Sequence, residues 1–301
     1  MRVVAALGGN ALLQRGEIPE AEIQEAHVVS AVADLAQLAR RHELVVTHGN
    51  GPQVGLLALE SARDPALPHP YPFDVLGAQT QGMIGYFLVQ ALENALPGRQ
   101  VAGLICQTLV RGDDPAFASP TKFVGAVYDE GTARRLARER GWQVRPDGTA
   151  WRRVVASPEP CALVELEIVE SLLADHAVVV CAGGGGIPVC RNANGQLRGI
   201  EAVVDKDLTS ALVAKDICAD ALLILTDVPA VELGYGTPTS QAIGHTTVAA
   251  LRAQNFAAGS MGPKVDAACR FVEATGKQAM IGQLDDAEEL LAGTKGTLVE
   301  P

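Results

Sequence analysis

Leu44-Val45-Val46-Thr47-His48-Gly49-Asn50-Gly51-Pro52-Gln53 runs from a short apolar stretch into two glycines and then into a proline placed to open a helix. A strand that ends in glycines and hands over to a helix is the repeating unit of an α/β sheet. Similar apolar runs stand at Val3 to Leu7, Val101 to Leu109, Ala177 to Ala182, Ala221 to Thr226 and Gln278 to Ile281. Each is a near-continuous block of apolar residues and not an alternation, as expected of strands covered on both faces. Helical periods lie between them. Glu20 to Arg41 puts Ile23, His27, Ala31, Leu35 and Leu38 on one stripe, with Pro19 suited to its first turn. Val75 to Ala95 is also helical in period, but Gly77, Gly82 and Gly85 open one side to close packing, which suits a contact between subunits. The fold class that follows is α/β, a mainly parallel sheet with helices on both faces.

One stretch departs from this rhythm. Gly112 to Pro160 gathers prolines, glycines, arginines and both tryptophans, Trp142 and Trp151, around a short helical period at Glu130 to Arg140. It reads as a small protruding lobe (112–160) inserted in a single domain spanning 1–301.

Composition narrows the function. The 301 residues carry 24 Lys and Arg against 35 Asp and Glu, a net charge of −11. A broad basic surface for nucleic acid or anionic lipid is therefore not expected, and any phosphate must be met by a small local site. No apolar run approaches the roughly 20 residues of a membrane helix. The segment Met1 to Gly9 reads as a first strand and not as a signal peptide, so the chain is expected in the cytoplasm. Six scattered cysteines form no CxxC pair, which points away from a zinc site or a disulfide framework.

The chemistry concentrates where strands end. Four glycine runs match the geometry in which backbone N–H groups and helix N-termini hold anions: Leu7-Gly8-Gly9-Asn10, Thr47 to Gln53, Gly183 to Gly186, and Gly259-Ser260-Met261-Gly262-Pro263-Lys264. Any one could be an ordinary tight turn; four together favour a phosphate ligand. None is a Walker A loop, because GxxxxGK[ST] does not occur. Gly49 to Gly55 comes near a dinucleotide fingerprint but has one residue too many, and Pro65 to Pro72 stands where a strand ending in an acid belongs. Few charged residues sit in these settings: Asp205-Lys206-Asp207, Asp227 and Lys264. Asp205 or Asp207 can cap the helical run Leu208 to Ala214, but Lys206 at a helix N-terminus calls for an anion beside it. Asp227 is open to a plain reading as a turn former.

Together, Leu7-Gly8-Gly9-Asn10-Ala11, His48 to Gln53, Gly183 to Val189 (GGGGIPV), Glu201 to Asp207 (EAVVDKD), Ile224 to Val228 (ILTDV) and Gly259 to Val265 (GSMGPKV) resemble the motif set of the carbamate kinases, in the family's order along the whole chain. The resemblance implies the amino-acid-kinase fold with a protruding subdomain, a homodimer, and reversible phosphoryl transfer between ATP and carbamate with Mg²⁺. In fermenting organisms it implies mostly ATP synthesis from carbamoyl phosphate and ADP. Carbamate already carries an anionic oxygen, so no general base is required and the task is positioning and charge neutralisation. Many relatives in the wider fold place a lysine before the first Leu-Gly-Gly; here that position is Ala6, and another lysine must serve. By resemblance Lys206 and Lys264 neutralise the transferring phosphoryl, Asp207 holds those lysines, and Lys122 closes on carbamoyl phosphate. Gly8, Gly9, Asn10, Gly49, Asn50 and Gly51 cradle the substrate; Asp227, Met261, Gly262 and Tyr235 meet the nucleotide. Mg²⁺ is expected on the nucleotide phosphates, not on protein ligands. His48 is given a structural or orienting role and His27 a place on an apolar stripe. Other small-acid kinases of the same fold, or a catalytically silent nucleotide-binding relative, are the alternatives.

Overall fold

Val3, Val4, Ala5, Ala6 and Leu7 are all wholly buried, and so are Leu44 to Val46 and Leu222 to Leu225, which requires a sheet covered on both faces. The computed structural model describes residues 1–9, 12–13, 17–256 and 260–301. Its largest sheet has eight strands. From one edge to the other they run β15 (His245–Thr247), β17 (Thr297–Glu300), β16 (Gln278–Gln283), β12 (Ala221–Thr226), β1 (Arg2–Leu7), β2 (Glu43–His48), β9 (Val178–Val180) and β3 (Val101–Gly103). Every neighbouring pair is parallel except β16–β17.

Alternate residues of each strand feed two cores. Val3, Ala5 and Leu7 face α1 (Ala21–Arg41), α3 (Phe73–Ala95) and α9 (Ala287–Leu291), while Val4, Leu222 and Ile224 face α5 (Leu166–Ala174), α6 (Lys206–Asp216), α7 (Val248–Arg252) and α8 (Met261–Thr275). The class is α/β, as the apolar runs require. The chain winds outward from β1 in both directions, towards β2 on one side and β12 on the other, so the ends of these three strands border the crevice at the switch point of the sheet. Helix α2 (Gly51–Ser61) starts directly after the β2 loop, with Pro52 in its first turn.

Several boundaries differ from the sequence reading for identifiable reasons. The run Val101 to Leu109 is not one strand: it divides into β3 and β4 (Gln107–Val110), which belong to different sheets. The Gln81 side chain stands at the break: it accepts from Cys106 N at 2.8 Å, and its amide shares Cys106 O at 3.1 Å with Ile187 N of β10. Helix α3 begins at Phe73 instead of Val75 because Glu201, distant in sequence, accepts from Phe73 N at 2.8 Å. Pro19 lies one residue before the N-cap of α1, Glu20. His27 is half-buried at the edge of its stripe and pairs with Glu17 at 2.9 Å. Helix α8 starts at Met261, so Pro263 is inside its first turn and not ahead of it.

Two further sheets are built from strands on both sides of β9 in the chain. β4, β8 (Pro160–Leu163), β10 (Ile187–Arg191) and β11 (Leu197–Gly199) form a mixed sheet of four. β5 (Lys122–Tyr128), β7 (Ala150–Val155) and β6 (Gln143–Asp147) form an antiparallel sheet of three, carrying α4 (Glu130–Arg140). Asp129 caps α4 by accepting from Thr132 N, and Gly141 ends it in the left-handed conformation. A two-stranded ribbon, β13 (Val231–Leu233) with β14 (Gln241–Ile243), follows β12. All six cysteines are free thiols, four of them buried. Among the described residues no helix is long and apolar enough to cross a membrane.

Candidate active site

The ends of β1 and β2 stack on one another. Gly49 N donates to Leu7 O at 3.0 Å, and a Cβ on Gly49 would lie 2.7 Å from Gly9 N, so this loop contact tolerates only glycine. Gly8 N in turn donates to Leu225 O of β12 at 2.8 Å. Gly8, Gly9, Gly49, Asn50 and Gly51 thus share one end of the sheet. Asn10, and Gly259 of the GSMGPK run, lie outside the described residues.

The four glycines 183–186 are required by close packing. They are buried, with φ of +65° at Gly184, +88° at Gly185 and +86° at Gly186. An added Cβ would stand 2.2 Å from His48 Nε2 at Gly183, 2.2 Å from Asn50 Nδ2 at Gly184, 2.6 Å from Val204 O at Gly185, and against Thr108 Oγ1 at Gly186. The run is a packing surface that fixes the β2 loop and the start of α6. Asn50 is held from the other side, where its Nδ2 donates to Thr80 Oγ1 at 2.8 Å. His48 is 2% exposed, and burial lowers its pKa to about 4, so the ring is neutral near pH 7. Its Nδ1 lies 3.0 Å from Gly49 O.

Charge gathers at the start of α6. Asp205 is the N-cap, its Oδ1 accepting from Asp207 N at 2.9 Å and Leu208 N at 3.3 Å. That leaves Asp207 for the lysines. Its Oδ1 lies 2.7 Å from Lys206 Nζ and its Oδ2 3.0 Å from Lys264 Nζ, all three side chains being largely buried. Burial alone would raise the Asp207 pKa, but the two ammonium groups outweigh it and hold the carboxyl ionised. Burial and the neighbouring Lys264 lower Lys206, whereas for Lys264 the attraction of Asp207 overcomes burial and raises it. Two cations on one anion leave an excess positive charge in a buried corner of an acidic chain. Lys206 Nζ also reaches 3.4 Å from Ala6 O, so an ammonium from α6 arrives at the end of β1.

The remaining predicted residues divide. Lys122, the first residue of β5, comes to the same corner through Asp205, with Nζ 2.6 Å from Oδ2. Met261 and Gly262 begin the helix that carries Lys264, and Asp227, exposed at the end of β12, is near enough for its charge to favour protonated Lys264. Tyr235 is 74% exposed in the link between β13 and β14, and no contact among the described residues ties it to this group. Sequence reasoning missed Asp205 as a partner of Lys122, and Thr80, Thr108 and Thr209, which hold Asn50 and the glycine run. Capping chemistry marked Asp205; the threonines leave no local signal.

A hollow of about 510 Å³ at the opposite end of the strands, lined by Arg2, Arg40, Arg41 and Arg99, has a structural account. Arg99 donates to Ala39 O, His42 O and His176 O, and Arg40 to Ala95 O, so they satisfy chain and helix-end carbonyls.

Residues 1–283 match the amino acid kinase family. The carbamate kinase of Rhizobium meliloti strain 1021 is 52% identical, covering 99% of this chain and 93% of its own length. The chain belongs to the amino acid kinase family, among the carbamate kinases. The carbamate kinase of Haemophilus influenzae is 48% identical over 99% of this chain and 96% of its own. A solved structure, the carbamate kinase of Giardia lamblia bound to AMP-PNP, superposes with a TM-score of 0.90 at 38% identity, covering 99% and 98% of the two chains.

Proposed function

We propose that this protein transfers a phosphoryl group reversibly between ATP and carbamate, and works in the cell as an ATP-forming enzyme that consumes carbamoyl phosphate and ADP. The observation that carries the reading is the Lys206–Asp207–Lys264 group, with Lys122 beside it, at the ends of β1, β2 and β12. Lys206 and Lys264 are the charges that meet the transferring phosphoryl, and Asp207 sets their spacing. Lys122 contacts carbamoyl phosphate. The attacking carbamate oxygen is already anionic, so the neutral, buried His48 is not needed as a base; it orients the β2 loop. Gly8, Gly9, Asn10, Gly49, Asn50 and Gly51 form the substrate cradle, and Asp227, Met261, Gly262 and Tyr235 the nucleotide side.

Mg²⁺ suits this site as a passenger on the nucleotide. Among the described residues no group of three His, Cys, Asp or Glu could hold a metal, and Asp205 and Asp207 are each engaged by lysine. The phosphate oxygens supply the hard ligands Mg²⁺ prefers, and the bound ion spreads the charge of the phosphates.

We take 112–160 as a lobe on a single domain, and the protein as a cytoplasmic homodimer. The dimer face is the side of α3 beside β3, where Gly82, Gly85, Tyr86 and Ile105 line an open hollow of about 270 Å³ and Tyr86 and Ile105 are 57% and 53% exposed.

The test is incubation with ADP, Mg²⁺ and carbamoyl phosphate. ATP should form, and Lys206→Ala or Lys264→Ala should abolish it. Absence of ATP together with turnover of another small acid would transfer the protein to a sister kinase.

A further inference from the structure

The three-stranded sheet that carries Lys122 touches the rest of the molecule in unlike ways. One is apolar and close: Val124 and Val155 pack with Val54, Phe73 and Leu76, and a Cβ on Gly55 of α2 would stand 2.7 Å from Gly125 Cα. This contact settles where β5 lies but not where the Lys122 ammonium points. The others are charged: Arg153 of β7 pairs with Glu201 at 3.6 Å and lies over the Phe73 ring, and Lys122 pairs with Asp205. The Asp205 side chain is 10% exposed and that of Lys122 34%, so the lysine comes from the surface to an anchored carboxylate. Asp205 is anchored because its second oxygen caps α6 through Asp207 N and Leu208 N, in the same turn that carries Lys206. A single carboxylate thereby joins the small sheet to the helix that holds the lysine cluster.

We propose that Asp205 is a positioning residue for the transfer reaction: it holds the Lys122 ammonium beside Lys206 and Lys264 before substrate arrives, and gives it up to the incoming anion. A lysine left in solvent would have to be ordered and brought in on each turnover; a lysine already held by a carboxylate has only to exchange one oxygen anion for another. The inference rests on the phosphoryl-transfer reading above, but its physical core, that the ion pair orders the start of β5, stands apart from the chemistry.

The experiment uses Asp205→Asn, which keeps the cap acceptor and removes the charge, alongside Lys122→Ala and the double variant. In the ATP-forming direction kcat/KM should fall about tenfold in Asp205→Asn and no further in the double variant than in Lys122→Ala. Additive losses would overturn the proposal. In the ligand-free protein, hydrogen exchange should speed up at residues 122–124 in Asp205→Asn while the first turn of α6 keeps its protection. Unchanged exchange at 122–124, or faster exchange only in α6, would reduce Asp205 to a helix cap. Wild-type protein that forms no ATP would remove the reaction but not the exchange result, so the two failures are separable.

Discussion

Lys264 Nζ lies 3.0 Å from Asp207 Oδ2, joining helices whose first turns are more than fifty residues apart in sequence. The other Asp207 oxygen is occupied by Lys206 at 2.7 Å, so among the described residues this carboxylate alone contacts two buried lysines. In Asp207→Asn both would lose their counter-charge. Removing one partner of a buried pair costs about 3–5 kcal/mol, and urea unfolding at pH 7 should show a loss of that order. The sign with pH is fixed. Without Asp207 the folded-state pKa of each lysine falls below its unfolded value, so the penalty is present at neutral pH and relieved as pH rises towards the unfolded lysine range. A loss below 1 kcal/mol, or one that grows with pH, would show that the three groups do not act as a unit.

Glycine substitutions separate packing from ligand contact. Gly184 has φ +65°, and a methyl there would stand 2.2 Å from Asn50 Nδ2, which is bonded to Thr80. Gly184→Ala should destabilise the fold by about 3 kcal/mol, combining left-handed strain with overpacking. Gly51 is exposed at the start of α2, and a Cβ there meets nothing within 4 Å. Gly51→Ala should change stability by less than about 0.5 kcal/mol, while the KM for carbamoyl phosphate rises several-fold if the backbone there cradles the anion. Thermal unfolding and steady-state kinetics on the two variants decide the matter; an unchanged KM in Gly51→Ala removes that glycine from the substrate site.

The sheet was legible because strands buried on both faces must be apolar throughout, as Val3 to Leu7 and Ala221 to Thr226 are. The break at 104–106 was not, because the side chain that stands at it, Gln81, comes from far along the chain. Lys206, Asp207 and Lys264 stood out as charges in glycine-rich or apolar settings. The direction in which the Gly183–Gly186 run faces could not be read. Its glycines look outward-facing on a strand end, yet they serve His48, Asn50 and Thr108, which come from other strands and loops. Asp205 was visible as a cap, but its second oxygen is assigned only once β5 is placed beside α6.

His48 predicts a pH dependence. Burial lowers its pKa from 6.5 to about 4, so between those values the unfolded chain binds a proton that the folded protein does not. Stability therefore rises with pH through this window, is unaffected by His48 above it, and is lost as pH falls from about 6.5 towards 4. The group is 2% exposed, so little of the effect is screened by solvent. Each pKa unit is worth about 1.4 kcal/mol, which puts the loss between pH 7.5 and 4.5 at about 2.5 kcal/mol. Asp207 does not confuse the reading, because its contribution is lost only as pH falls below the ordinary carboxylate range. His42, also lowered by burial, is common to wild type and variant. His48→Asn should be less stable at pH 7.5, yet should lose about 2.5 kcal/mol less than wild type on acidification to pH 4.5. Equal slopes for the two proteins in urea titrations across this range would mean that His48 takes up its proton as readily in the folded protein as in the unfolded chain.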